Sequence, residues 1–360
     1  MLYSWGESAG AGSVGWHLTA YNGRDDHLFR AGIMESGNPV PYQSYRDDRT
    51  YQPLYDNITA LTNCSSAIDT LDCLRHVPFA TINAVLNTTA YETVFQPIVD
   101  GDFIQKFNSI QLAQGDFVKV PILDGANTDE GTAFGPRGVN TTQDWINDIT
   151  SNATGAFIAE QYVPSLLEAY PDTCSDLIPP PTEVPCNVTY PAPYGDVYRR
   201  SAAYFGDVVM IANRRGACET WAANGVPAYC YRFNTIPAGI PWEVGVTHFQ
   251  EVAFVFDNVN GLGYNAAHSS VDPFLNKPQT YTELAKLMSS SWASFIYDQN
   301  PNNFTGRYAG AQQWPVYSTG NPQNIVWDVN ATNTLAYTEP DTFRQAGIQW
   351  ILDHALDYHR

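Results

Sequence analysis

Within its first ten residues the chain breaks an apolar run, Leu2-Tyr3-Ser4-Trp5, with Gly6-Glu7-Ser8-Ala9-Gly10. Small residues continue through Ser13, and Val14, Trp16 and Leu18 then mark a helix that packs closely on the preceding strand. Few backbones accommodate a buried strand that stops at glycine and passes straight into such a helix. The turn must be sharp, and glycines are needed because neighbouring Cβ atoms would collide there. Ala31–Gly37, Val120–Gly125 and Pro227–Phe233 are further short apolar runs of the same kind. Helical periodicity lies between them, roughly from Val197 to Trp221 and from Tyr281 to Tyr297. A last helix begins at Asp341, read as its N-cap, with Phe343, Ile348, Ile351, Leu352 and Ala355 on one apolar face. Strands alternating with helices predict an α/β fold with a mostly parallel sheet covered on both faces. Tyr170 to Tyr194, with Pro179-Pro180-Pro181 and two cysteines, reads as a surface loop pinned by a disulfide. No internal repeat or linker interrupts the pattern, so residues 1–360 read as one domain.

Composition narrows the partners. Lys and Arg number 18 against 37 Asp and Glu, a net charge of −19, which argues against nucleic acid and anionic membrane as binding surfaces. No apolar run approaches the ~18 residues of a membrane span, so stable membrane insertion is not expected. Eight Asn-x-Ser/Thr sequons, at Asn57, Asn63, Asn87, Asn140, Asn152, Asn187, Asn303 and Asn330, are candidate glycosylation sites. Six cysteines, Cys64, Cys73, Cys174, Cys186, Cys218 and Cys230, fall into three close pairs with no Cys-x-x-Cys. That spacing fits disulfides rather than zinc or a redox motif. Both signals point to an extracellular, secreted protein, although no signal peptide is present in the 360 residues.

Gly6-x-Ser8-x-Gly10 is also a chemical signal. A serine hydroxyl is a poor nucleophile until a base takes its proton, and a sharp strand-to-helix turn lifts it clear of the sheet. The helix that follows aims the Ala9 N–H at the place where an oxyanion would form. The base is open on the residues alone, because seven histidines compete. The acid is open too, since Asp129 and Glu130 are adjacent. His248-Phe249-Gln250-Glu251 looks like half of a zinc-helix motif, but no second His follows at the needed spacing. Neither a metal nor a cofactor is expected.

Gly6-Glu7-Ser8-Ala9-Gly10-Ala11-Gly12-Ser13 resembles the active-serine signature of type-B carboxylesterases and lipases, the cholinesterase-like branch of the α/β-hydrolases. Further blocks agree with that family in order: Phe29–Gly37, Phe95–Gly101, Pro121–Thr132, Gly245–His248, Trp314–Tyr317 and the final helix. The resemblance covers essentially the whole chain and is greatest to secreted fungal members. It implies a Ser-Glu-His triad of Ser8, Glu130 and His248, in the chain order of the fold. Ala9 would supply an oxyanion-hole N–H, and Glu7 would support the cationic His248, with a plain turn role equally open. Phe134 would line the acyl pocket, with a core role equally open. The resemblance also pairs Cys64 with Cys73; the other four cysteines are matched by proximity only.

In this family the elbow normally lies mid-chain, after about five strands, whereas here it begins at residue 6. No His-Gly-Gly or Gly-Gly-Gly-x run, the usual second half of the oxyanion hole, occurs anywhere. The resemblance therefore implies the C-terminal part of an α/β-hydrolase fold, from the nucleophile strand onward, and an inactive or weakly active piece. The expected activity is hydrolysis of small-molecule or lipid carboxylic esters through an acyl-serine. A triacylglycerol lipase differs only in substrate. A catalytically dead binding module would have lost one of the three residues, and all three are here.

Overall fold

A computed structural model describes residues 2–45, 49, 51–91, 95–151, 157–177, 188–264, 271–305, 311–331 and 335–360. The chain divides into two compact units, residues 1–44 with 108–360, and residues 45–107. The larger holds a six-stranded sheet in the order β1 to β6: Leu2–Glu7, Phe29–Glu35, Ile122–Asn127, Ala228–Phe233, Gln323–Trp327 and Ala336–Pro340. Neighbours from β1 to β5 pair in parallel, and β5 and β6 form an antiparallel pair. The mostly parallel sheet is as expected; β5 and β6 are additions the sequence reading had not identified.

Period-2 alternation sends the strand side chains into two layers. Ala31, Ile33, Leu123, Tyr229, Tyr231 and Phe233 face one core, covered by the helix Gln279–Asp298 through Leu284, Met288, Trp292 and Phe295. Met34, Ile122, Ala228 and Cys230 face the other, where Ala11, Val14 and Leu18 of α1 (Ala9–Gly23) pack beside Trp221. Every residue of β3 and β4 is buried because helices close both faces.

The stretch read as one helix from Val197 to Trp221 is Tyr198–Gly206 and Ala212–Ala223, joined by a π turn at Asp207–Ile211. Asp207 holds Arg344 at 2.6 and 2.7 Å and accepts from the Tyr170 hydroxyl. The last helix is Gln345–Asp353, and Asp341 is not its N-cap. Its buried carboxylate instead binds Arg214 at 2.6 and 2.9 Å and Arg215 at 2.9 Å. A long-range ion pair has thus taken the acid that local pattern assigned to a cap.

The smaller unit carries the helices Gln52–Leu61, Thr70–His76 and Phe79–Leu86. Asp69 caps the second by accepting from the Asp72 N–H, and Cys64 is bonded to Cys73. In the larger unit Cys218 is bonded to Cys230, tying the helix Ala212–Ala223 to β4. Cys186 lies outside the described residues, as do Asn152 and Asn187. The other six sequon asparagines are exposed. Among the described residues no helix is long and apolar enough to cross a membrane.

Candidate active site

β1 ends at Glu7, and α1 begins at Ala9. Ser8 between them takes φ 56°, a left-handed conformation that costs a non-glycine residue about 1–3 kcal/mol. Its neighbours make this possible. A Cβ on Gly6 would lie 2.2 Å from the Gly10 carbonyl carbon, so only glycine lets strand and helix approach this closely. Ser8 N–H donates to Glu35 O, and Ser8 O accepts from Gly12 N–H, which fixes the turn at both ends. The N–H groups of the first turn of α1, which opens at Ala9, have no acceptor within the helix.

Three residues far apart in sequence meet here. His248 Nε2 lies 2.7 Å from Ser8 Oγ, and His248 Nδ1 lies 2.8 Å from Glu130 Oε2. The second Glu130 oxygen is satisfied independently: Oε1 accepts from Ser36 Oγ at 2.5 Å and from the Asn127 N–H at 2.8 Å. Glu130 is fully buried and His248 nearly so. Burial alone would lower the His248 pKa. The Glu130 carboxylate, by charge and hydrogen bond, with Glu7 and Glu251 adding to it, reverses this and holds it up at about 9.

Asp129 turns the other way. Its Oδ2 accepts from the Val246 N–H at 2.9 Å and its Oδ1 from Arg199 Nη1 at 3.0 Å. The same stretch is held by Thr132 Oγ1 through Val244 O, and by Asn127 Nδ2 through Thr247 O, each at 2.8 Å. Gly245 sits among these contacts at φ +63°, and a Cβ there would lie 2.3 Å from Asp129 Oδ2. The loop that presents His248 is therefore pinned from the β3 side by three polar residues within a six-residue stretch, Asn127, Asp129 and Thr132.

Two further carboxylates lie beside the histidine. Glu7 Oε1 is 3.3 Å from His248 Nε2 and has no hydrogen-bond partner. Burial, then the charge of Glu251, pushes the Glu7 pKa up to about 9. Glu251 is fully buried, accepts from Asn127 Nδ2 at 2.6 Å, and is pushed up to about 7 by burial and the Glu130 charge. Phe134 meets the His248 ring edge-on at 4.8 Å and packs on core residues. It is not among the residues that line the neighbouring cavity. That cavity, about 670 Å³, is lined by Glu7, Ser8, Arg137, Tyr194, Ile240 and His248 among others.

In the sequence Ser36, Asn127 and Arg137 carry no functional signal of their own, and Glu251 enters only as the last residue of the rejected zinc-helix pattern. The first two sit inside the blocks that carry the resemblance, and Glu251 follows His248 by three residues, so position relative to a motif was the available signal. Arg137 had none. Among the described residues no cluster could hold a metal ion.

The arrangement can accept a proton from a hydroxyl, hold it on a buried imidazole, and return it. Comparison with known proteins agrees with such chemistry. The sequence model described as "Carboxylesterase family" matches residues 4–343. Secreted lipase 1 of Botryotinia fuckeliana (strain B05.10) is 31% identical over 336 residues, covering 88% of this chain and 52% of that protein. Secreted triacylglycerol lipase LIP1 of Gibberella zeae is 30% identical over 366 residues, covering 98% and 56%. The crystal structure of Aspergillus niger EstA superposes with a TM-score of 0.74 at 25% identity, over 99% of this chain and 65% of that one. The α/β-hydrolase fold is thereby shown. The chain spans about half the length of the curated relatives it matches. The expectation of a C-terminal portion draws no support from a family match that runs over residues 4–343.

Proposed function

The chain belongs to the carboxylesterase family, and from that premise we propose that it hydrolyses carboxylic esters through an acyl-Ser8 intermediate. His248 Nε2 takes the Ser8 proton as Oγ attacks the ester carbonyl, then gives it to the departing alcohol. Glu130 accepts the Nδ1–H, holds the ring in the required tautomer and stabilises the imidazolium. The Ala9 N–H at the start of α1 faces the developing oxyanion; one such donor typically contributes ~3–4 kcal/mol to the barrier. Water then attacks the acyl group by the same route in reverse. Glu7, beside Nε2, adds negative potential that favours the cationic ring whenever it is ionised.

The observation that carries this reading is the unbroken hydrogen-bond chain from Ser8 Oγ through both His248 nitrogens to a carboxylate with its second oxygen already satisfied. Relatives named as secreted lipases, the disulfides and the exposed sequons support an extracellular, glycosylated protein. The test is turnover of a short p-nitrophenyl ester by the 360-residue chain and by His248→Ala. A fall of ~10³-fold or more in the variant is expected. Equal turnover by both would remove His248 as the base.

A further inference from the structure

Arg137 is exposed, and its setting differs from that of the other described arginines of the larger unit, of which Arg30, Arg200 and Arg360 also lack a carboxylate but donate to backbone carbonyls. Arg199, Arg214, Arg215, Arg232 and Arg344 each hold a carboxylate within 3.0 Å. Arg137 has no carboxylate partner among the described residues, in a chain with twice as many acidic as basic groups. Its guanidinium lies over the Tyr194 ring, 4.9 Å from the centroid. Tyr194 is itself packed against Tyr190 and Tyr198 at 6.0 and 4.9 Å, so the platform is built from several rings. A guanidinium laid on an aromatic face keeps its N–H donors at the edge, where a planar bidentate acceptor fits. Both Arg137 and Tyr194 line the cavity onto which Ser8 and His248 open.

We infer that Arg137, seated on Tyr194, recognises a carboxylate on the substrate and makes this cavity selective for esters that are anionic at a point remote from the scissile bond. The inference rests on the ester-hydrolase reading given above and adds a substrate class to it. A carboxylate matches the fork of donors, and charge-assisted pairs of this kind are the stronger hydrogen bonds. Among the described lining residues Glu7 is the one carboxylate. Burial and Glu251 push it upward, so it opposes an anionic substrate less than an ordinary glutamate would. Part of the remaining wall, Ile240, Pro241, Val244 and Phe249, is apolar and suits the hydrocarbon part of such an ester, beside the polar Thr247 and Gln250.

The test compares matched esters in two arms, with the wild-type chain and Arg137→Gln. In the acyl arm the pair is the p-nitrophenyl monoester of glutaric acid against p-nitrophenyl valerate. In the alcohol arm it is 4-carboxyphenyl butyrate against phenyl butyrate. The readout is the ratio of kcat/KM for the anionic over the neutral ester. In one arm this ratio should fall about tenfold in Arg137→Gln, mainly through KM, with Arg137→Lys between the two. The wild-type ratio should shrink as salt is raised to about 0.5 M. A ratio unchanged by the substitution in both arms would overturn the inference while leaving ester hydrolysis intact. If the wild type turned over neither member of either pair, the hydrolase reading would fail instead. Calorimetric titration with monomethyl glutarate then decides the subsite: weaker binding to Arg137→Gln supports it, and equal or absent binding overturns it.

Discussion

Asp129 and Glu130 are adjacent in sequence and divide their work. Glu130 directs Oε2 to His248 Nδ1 at 2.8 Å, while Asp129 directs Oδ2 to the Val246 N–H two residues before that histidine, at 2.9 Å. One carboxylate meets the ring and the other holds the loop that carries it.

Their substitutions should therefore differ in kind. Glu130→Gln should lower kcat by ~10³-fold or more, because an amide cannot stabilise the imidazolium. Asp129→Asn weakens the contacts to Val246 and Arg199 and should cost less, about tenfold, accompanied by a lower Tm. Steady-state kinetics and thermal melts of both variants check this. A larger kcat loss in Asp129→Asn would reverse the assignment of the acid.

The pH profile should show the carboxylates around the base. His248 must be neutral to accept the Ser8 proton, so kcat/KM falls as pH drops through its pKa, which is held up at about 9. Activity should thus still be rising well above the ordinary histidine value of ~6.5. Glu7, itself pushed up to about 9, is ionised only at the alkaline end of this limb, so Glu7→Gln should move it to lower pH only slightly, and Glu130 sets most of the rise. A limb near 6.5 in the wild type would contradict this electrostatic account.

Much of this was legible locally, and the remainder was not for identifiable reasons. Gly6 and Gly10 announce the elbow because the close approach of strand to helix is a constraint between near neighbours. β3 and β4 are legible as apolar runs because both their faces are buried. β5 and β6 escaped notice: β6 is Ala336-Tyr337-Thr338-Glu339-Pro340, half-exposed and ending in proline, with little to mark it as a strand. Asp341 looked like a cap because its partners, Arg214 and Arg215, lie more than 120 residues away. Asp129 and Glu130 could not be separated on residue type, since only the fold decides which carboxylate faces the imidazole.

Asp341 offers a test of stability apart from chemistry. The two arginines hold its carboxyl below the usual range despite full burial. Asp341→Ala leaves Arg214 and Arg215 buried without their partner and should cost about 3–5 kcal/mol. Because the folded-state pKa is depressed, the wild-type contribution is intact above the ordinary Asp value of ~3.9 and is lost as pH falls through the folded value. Urea melts at pH 7 and in acid check both points. Wild type and variant should converge in acid.

Gly6→Ala tests the elbow backbone. A Cβ placed 2.2 Å from the Gly10 carbonyl carbon cannot be relieved by a side-chain rotation, because the obstacle is main chain. The variant should lose ~1–3 kcal/mol of stability and most of its esterase activity. Activity and Tm both near wild type would mean the strand and helix are less tightly apposed than described.

The most direct measurement of the central claim is covalent labelling by a fluorophosphonate, with the modified residue located by peptide mass spectrometry. Ser8 lies 2.7 Å from His248 Nε2. It should be the labelled residue, its labelling rate should rise with pH along the same limb as kcat/KM, and Ser8→Ala should take up no label. Modification of a different serine, or undiminished labelling of Ser8→Ala, would contradict the assignment of Ser8 as the nucleophile.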